Sequence, residues 1–348
     1  MSTTHGDQAL KPAVPHNPVR PDWLALHAEP ALEPELPIVD AHHHLWEFPD
    51  KSYRTRDLLA DIASGHDIRA TVFVECKTRY DLDAPAELAS AGELRFALAE
   101  AHDAQQQGAR TRVAAALVGN ADLALGADAG RVLDHLIDAA QGRLRGIRNI
   151  AVWHADVRAS AATPPPHLLL DASFRAGVAQ LAPRGLTFDA WCIHTQLPEL
   201  SDLAAALPET GIVLNHVGGP LGLGPYRGRR DEVFHAWRRD IAELARRPNV
   251  FVKLGGFGMP LFGFDFERGD TPPDSASIAA KIRPYVESCI ELFGASRCMF
   301  ESNFPVDKGS FGYGVMWNAY KRLAAAASDA GKRALFHDTA AHFYRLES

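Results

Sequence analysis

The sequence predicts an α/β fold, a single (β/α)8 TIM barrel preceded by an irregular N-terminal arm. Three observations carry that expectation. Short runs rich in β-branched residues alternate with longer amphipathic or alanine-rich stretches, the pattern of a parallel sheet with crossover helices. Eight such runs emerge, the number that closes a barrel of this kind. The chain has 348 residues, a length that an α/β barrel fills as one domain.

The elements follow in order. Residues 1–36 carry Pro12, Pro15, Pro18, Pro21, Pro30 and Pro34 with little periodicity, which predicts an arm outside a barrel of residues 37–348. Strands are expected at 38–41, 70–76, 112–118, 144–150, 186–191, 212–215, 250–254 and 298–301. Helical stretches fall between them, for example at 86–105, 131–140, 201–207, 233–246 and 278–293. A loop at 255–277, rich in Gly and Phe, follows the seventh strand and has the length and composition of a lid. No glycine-rich dinucleotide or nucleotide loop is present.

Composition narrows the function. With 47% hydrophobic and 23% charged residues the chain is of ordinary globular type, and at this size it needs no disulfide or metal merely to stay folded. A net charge of -7 argues against a dedicated nucleic-acid binder. No run approaches 18 apolar residues, and the start lacks the basic and apolar regions of a secretory signal, so a cytoplasmic protein without a membrane partner is expected. Cys76, Cys192, Cys289 and Cys298 are scattered without a C-x-x-C pair and are expected as free thiols.

The chemistry gathers where strands stop. The first strand ends in Asp40-Ala41-His42-His43-His44, and strand alternation sends His42 and His44 to one side and His43 to the other. Two imidazoles sharing a pocket suit a divalent metal or a polarised carbonyl oxygen. His216 closes the sixth strand. After the fifth, which contributes Asp189 and Trp191, His194 either joins the same pocket or lies on the following loop. Lys253 on the seventh strand needs a partner if buried, either a carboxylate at the barrel floor or an anionic substrate, with the floor pairing favoured. Trp46, Phe48 and Tyr53 after the first strand, with Trp153 and His154 after the fourth, are candidate walls for a small, partly apolar organic acid. These aromatics equally suit packing between subunits of a homo-oligomer.

Five segments together resemble the amidohydrolase-2 family of TIM-barrel, metal-dependent hydrolases, especially its lactonase-like branch. They are VDAHHHLW at 39–46, RGIRN at 145–149, IVLNHVGGP at 212–220, NVFVKLGG at 249–256 and MFESNFPVD at 299–307. The resemblance runs from about Pro37 to the C-terminus and implies hydrolysis of lactones or amides, although some relatives decarboxylate aromatic or enoic acids. It assigns His42, His44 and His216 to the catalytic or metal-binding positions and Arg148 to the substrate anion. One departure stands out. The family's aspartate at the end of the eighth strand is Asn303 here, which takes no proton from water and offers a metal no anionic oxygen. Glu301, two residues earlier on the same face, stands where the family often has Gly, and Glu75 ends the second strand where lactonase-like relatives tend to have Gln. Either is a compensating carboxylate, or a structural partner of Lys253 or Arg148.

The expected function is therefore a hydrolase of a small organic-acid lactone or related ester or amide. His42, His44 and His216 polarise the carbonyl, Glu301 or Glu75 handles protons beside Asn303, and Arg148, Glu75, Trp46, Trp191 and His194 contact the substrate. One divalent ion, Zn²⁺ or Mn²⁺, on His42, His44 and His216 is expected to be weak or absent. The alternatives are a metal-dependent, non-oxidative decarboxylase and a barrel that binds its ligand without turning it over.

Overall fold

The computed structural model describes residues 16–160 and 162–346; the first fifteen residues of the expected arm, residue 161 and residues 347–348 lie outside the described residues. Eight parallel strands pair in sequence order: β1 (Pro37–His43), β2 (Asp67–Val74), β3 (Arg112–Gly119), β4 (Leu144–Ile150), β5 (Thr187–Trp191), β6 (Ile212–Leu214), β7 (Val250–Leu254) and β8 (Cys298–Phe300). Each leads into a helix of the outer ring, beginning with Thr55–Ile62 and Ala91–Gln106 and ending with Tyr313–Leu323. Local chemistry starts several of them: the Asp171 carboxylate accepts the Phe174 N–H at 2.8 Å, and that of Asp274 accepts the Ser277 N–H at 2.6 Å. The sequence-predicted strands match these within three residues at every end.

The barrel closes just beyond β8, beside the histidines. The Asn303 N–H donates to the His42 carbonyl and the His44 N–H to the Phe304 carbonyl, both at 2.8 Å. Closure therefore fixes the backbone of the β1 and β8 segments against each other. Pairing of β1 with β2 slips between Asp40 and His43. Val39 and Ala41 belong to the inner core, and after the slip His42 and His44 point inward as well. Inside, Val39, Val72, Ala116, Val213 and Met299 pack on Phe343 and Tyr344, which plug the N-terminal end of the barrel. Outside, a larger apolar cluster cements strands to helices.

The described part of the arm lies against the barrel. Trp23 is buried and its indole N–H donates to the Gly269 carbonyl at 3.0 Å, while Arg20 reaches the Glu267 carbonyl at 2.6 Å. Glu29 accepts from the backbone N–H and hydroxyl of Ser275 at 2.7 and 2.6 Å. All four cysteines are free thiols, and among the described residues no helix is long and apolar enough to cross a membrane.

Candidate active site

A cavity of about 310 Å³ opens at the C-terminal ends of the strands, lined by His44, Glu75, Arg148, Trp191, His216 and Asn303 together with Trp46 and Phe48. These come from β1, β2, β4, β5, β6 and β8 or the loops directly after them, so the barrel gathers residues far apart in sequence. His42 and Glu301 sit directly beneath, fully buried.

Partners set the tautomers. His44 Nδ1 lies 2.8 Å from the Val74 carbonyl, which only accepts, so Nδ1 carries the proton and Nε2 a lone pair. His216 Nδ1 lies 2.7 Å from Glu301 Oε1; with Glu301 ionised, Nδ1 holds the proton and Nε2 is left to the cavity as an acceptor. His42 Nε2 lies 3.3 Å from His44 Nε2. Cations flank both nitrogens of His42: Lys253 Nζ is 3.3 Å from Nδ1 and Arg148 Nη1 is 3.3 Å from Nε2. Burial is the first cause that holds His42, His44 and His216 well below the ordinary histidine range. Lys253 adds to it for His42, and Arg148 for His44 and His216. All three are neutral. His43, on the opposite face, packs on Phe73 with a ring separation of 6.2 Å and takes no part.

Glu301 is the hinge of the cluster. Its Oε1 meets His216, and its Oε2 lies 3.0 Å from His42 Nδ1 without hydrogen-bond geometry. Burial pushes its carboxyl up to about 8, against the opposing pull of Lys253. The adjacent glycines make room for it: a Cβ on Gly255 would stand 2.3 Å from Glu301 Cγ, and one on Gly256, where φ is +74°, 2.6 Å from His216 Nδ1. The GG after β7 is thus the space into which the dyad fits.

Below lies the floor. Lys253 Nζ pairs with Asp189 Oδ2 at 2.7 Å, and the same oxygen accepts from the Tyr344 hydroxyl at 2.9 Å and Asn215 Nδ2 at 3.2 Å. The lysine therefore takes the floor pairing. Above, Arg148 Nε donates to Glu75 Oε1 at 2.8 Å and Nη2 to the Glu75 carbonyl. Arg148 is held by Glu75 and lines the cavity at once, so the two roles weighed for it coexist in one side chain. Glu75 Oε2 is buried without a partner. Asn303, at φ +54°, donates through Nδ2 to Asp307 Oδ1 at 2.9 Å, which turns its amide oxygen away from Asp307.

Several expected wall residues stand elsewhere. His194 does not join the cavity: its ring packs edge-on against Tyr226 at 5.0 Å and its Nδ1 accepts the Leu221 N–H at 3.4 Å. Trp153 and His154 turn toward His167 and Tyr226, and Tyr53 bonds Asp61 at 2.6 Å. The 255–277 loop sends Phe257, Phe262, Phe264 and Phe266 into a stacked core cluster, leaving Met259 as its contact with the cavity. Those phenylalanines are apolar enough to build a core of their own. Conversely, His16, Lys51 and Lys77 line the cavity without a motif to announce them.

Ligand atoms of His42, His216 and Glu301 lie within 4.8 Å of one another, a spacing at which three donors can share a metal. The surroundings do not fit a divalent ion. Lys253 stands 3.3 Å from His42 Nδ1 on the side of the carboxylate, and Arg148 guards Nε2. The positive charge that an ion would supply is already present as lysine and arginine.

An inward cluster of neutral histidines and a buried carboxylate lies at the C-terminal mouth of a (β/α)8 barrel, where barrel enzymes hold their reacting groups. The chain belongs to the Amidohydrolase family, whose profile matches residues 39–346. It is 32% identical over 336 residues to the uncharacterized protein y4mH of Sinorhizobium fredii, covering 90% of this chain and 99% of that one. It is 28% identical over 322 residues to an L-fucono-1,5-lactonase of Burkholderia multivorans, covering 88% and 96%. Among solved structures, an amidohydrolase from Burkholderia multivorans with bound zinc aligns with a TM-score of 0.69 at 27% identity, over 89% of this chain and 99% of that one.

Proposed function

We propose that the protein hydrolyses the ring ester of a small hydroxy-acid lactone, with His216 as general base, Glu301 orienting it and Arg148 polarising the carbonyl. The observation that carries this reading is the His216–Glu301 pair at 2.7 Å, a base with its orienting carboxylate, beside a β8 position where Asn303 has no proton-accepting group. In the proposed step, a water oxygen bonds to the carbonyl carbon while one of its protons passes to His216 Nε2. The ring C–O bond then breaks and that proton goes to the departing oxygen, so lactone and water yield one hydroxy acid. Because the cavity-facing nitrogens of His44 and His216 are acceptors, carbonyl polarisation falls to the Arg148 guanidinium rather than to the histidines. The 28% identity to lactonases over most of the chain supports the substrate class.

The test is acid release at constant pH from L-fucono-1,5-lactone and a panel of aldonolactones, using protein dialysed against a chelator and checked by elemental analysis. Steady acid release from metal-free protein is the expected result. Dependence on added Zn²⁺ or Mn²⁺ would overturn the metal-free reading. Carbon dioxide from aromatic acids with no lactone turnover, or thermal stabilisation by lactones without turnover, would replace hydrolysis with decarboxylation or simple binding.

A further inference from the structure

A second cavity, of about 640 Å³, lies at the opposite end of the barrel, where β3 and β4 begin and the C-terminal segment crosses. Its polar lining is dominated by Arg112, Arg143, Arg145 and Arg345, with Gln105 and Thr111, and among the described residues no Asp or Glu lines it. In a chain of net charge -7 this is an unusual concentration. Elsewhere arginines meet carboxylates, as in Arg54–Glu100, Arg184–Asp134 and Arg238–Glu291. Among the described residues Arg143, Arg145 and Arg345 do not. Each is tethered through one terminal nitrogen to main-chain carbonyls: Arg143 to Ala114 at 3.2 Å, Arg145 to Gly142 at 2.5 Å and Leu144 at 3.2 Å, Arg345 to Gly185 at 2.5 Å.

Such tethers aim a guanidinium without neutralising it, and they leave further N–H groups of each fork for another acceptor. The like charges also crowd each other, since burial and then Arg145 hold the Arg345 guanidinium below its ordinary value. Two wall residues, Gln141 and Arg345, take left-handed backbone conformations at φ +50° and +48°, which are strained for side chains other than glycine or asparagine. The cavity volume is that of a small-molecule site.

We propose that this N-terminal cavity binds a compact multivalent anion, bearing phosphoryl or several carboxylate groups, on the forks of Arg143, Arg145 and Arg345. The site is separate from the catalytic mouth: Arg145 is the second residue of β4, whereas Arg148, three residues further on, lines the cavity at the C-terminal end.

Isothermal titration of the full chain with sodium pyrophosphate and with citrate, at ionic strength matched by sodium chloride, tests it. Saturable binding of either anion is expected, and which one binds identifies phosphoryl or carboxylate chemistry. Losing one fork should weaken it about tenfold, so Arg145→Gln and Arg345→Gln should each raise Kd by that factor, while Arg148→Ala leaves it unchanged. Circular dichroism and melting of each variant establish that it is folded. Heat no greater than that of the chloride control would overturn the proposal, as would binding retained in folded Arg145→Gln and Arg345→Gln or abolished by Arg148→Ala. Glu347 lies outside the described residues. A chain ending at Leu346 that binds pyrophosphate when the full chain does not would also overturn it, by making the protein's own carboxylate the occupant.

Discussion

Glu301 concentrates the argument at the residue scale. Its carboxyl is pushed up to about 8 by burial, against an ordinary value of 4.5, so between these limits the folded protein holds a proton that the unfolded chain releases. The contribution to stability is fully present below about 4.5 and declines as pH rises through about 8. Activity runs the other way. Only ionised Glu301 fixes the proton on His216 Nδ1 and frees Nε2, so kcat should climb as pH approaches about 8 and level off above it. In Glu301→Gln the expected outcomes are a kcat lower by about 100-fold or more, loss of the limb near pH 8, and a melting temperature raised at pH 8 more than at pH 5. A pH profile with the same limb in the variant would remove Glu301 from the proton path. Glu301 was readable as a candidate because strand alternation places it on the face of position 303. Its partner was not readable, since His216 lies 85 residues earlier and meets it through barrel closure.

At the scale of elements, the strands were the most legible part, because β-branched runs bounded by turns leave a strong local signal, and the expected strands at 144–150 and 250–254 coincide with β4 and β7 at both ends. Loop destinations were not, for a physical reason. His194 and the phenylalanines of the 255–277 loop had two sinks of similar apolar character, and packing among themselves and with Tyr226 decided the outcome. The arm's prolines marked it as irregular but gave no signal of where it lies. We propose that it completes the mouth of the site: His16 lines the cavity, stacks on Trp46 at 5.7 Å and meets Lys51 Nζ at 3.0 Å, and Asn17 is anchored to the Ser310 hydroxyl at 3.0 Å. Removing residues 1–28 exposes the surface under Trp23 and should lower the melting temperature, whereas His16→Ala should leave it unchanged and raise KM several-fold with kcat nearly constant. Wild-type KM in folded His16→Ala would show that the arm covers the site without contacting substrate.

For the whole molecule, the floor beneath the active site sets what stability the catalytic cluster requires. Lys253 and Asp189 are both fully buried, and their ion pair is completed by Tyr344 from the C-terminal plug and Asn215 after β6, so one network joins four segments of the barrel. Desolvating both charges is costly, and the pair is tolerable because each lone pair of Asp189 Oδ2 has a donor. Breaking it leaves one buried charge alone, which costs about 3–5 kcal/mol. Lys253→Met should therefore destabilise by about that much. Lys253→Met/Asp189→Leu should recover most of the loss, because no charge remains uncompensated. The same double variant separates stability from chemistry. Lys253 faces His42 and holds down the Glu301 carboxyl, while Asp189 pushes it up to a lesser degree, so the folded double variant should need a somewhat higher pH for Glu301 to ionise, moving the kcat limb upward, though by less than loss of Lys253 alone. Denaturant unfolding of the single and double variants, together with their pH profiles, checks both parts. Equal destabilisation in the two would show that the pair acts through more than its charges, and an unmoved limb would show that Lys253 serves the fold alone.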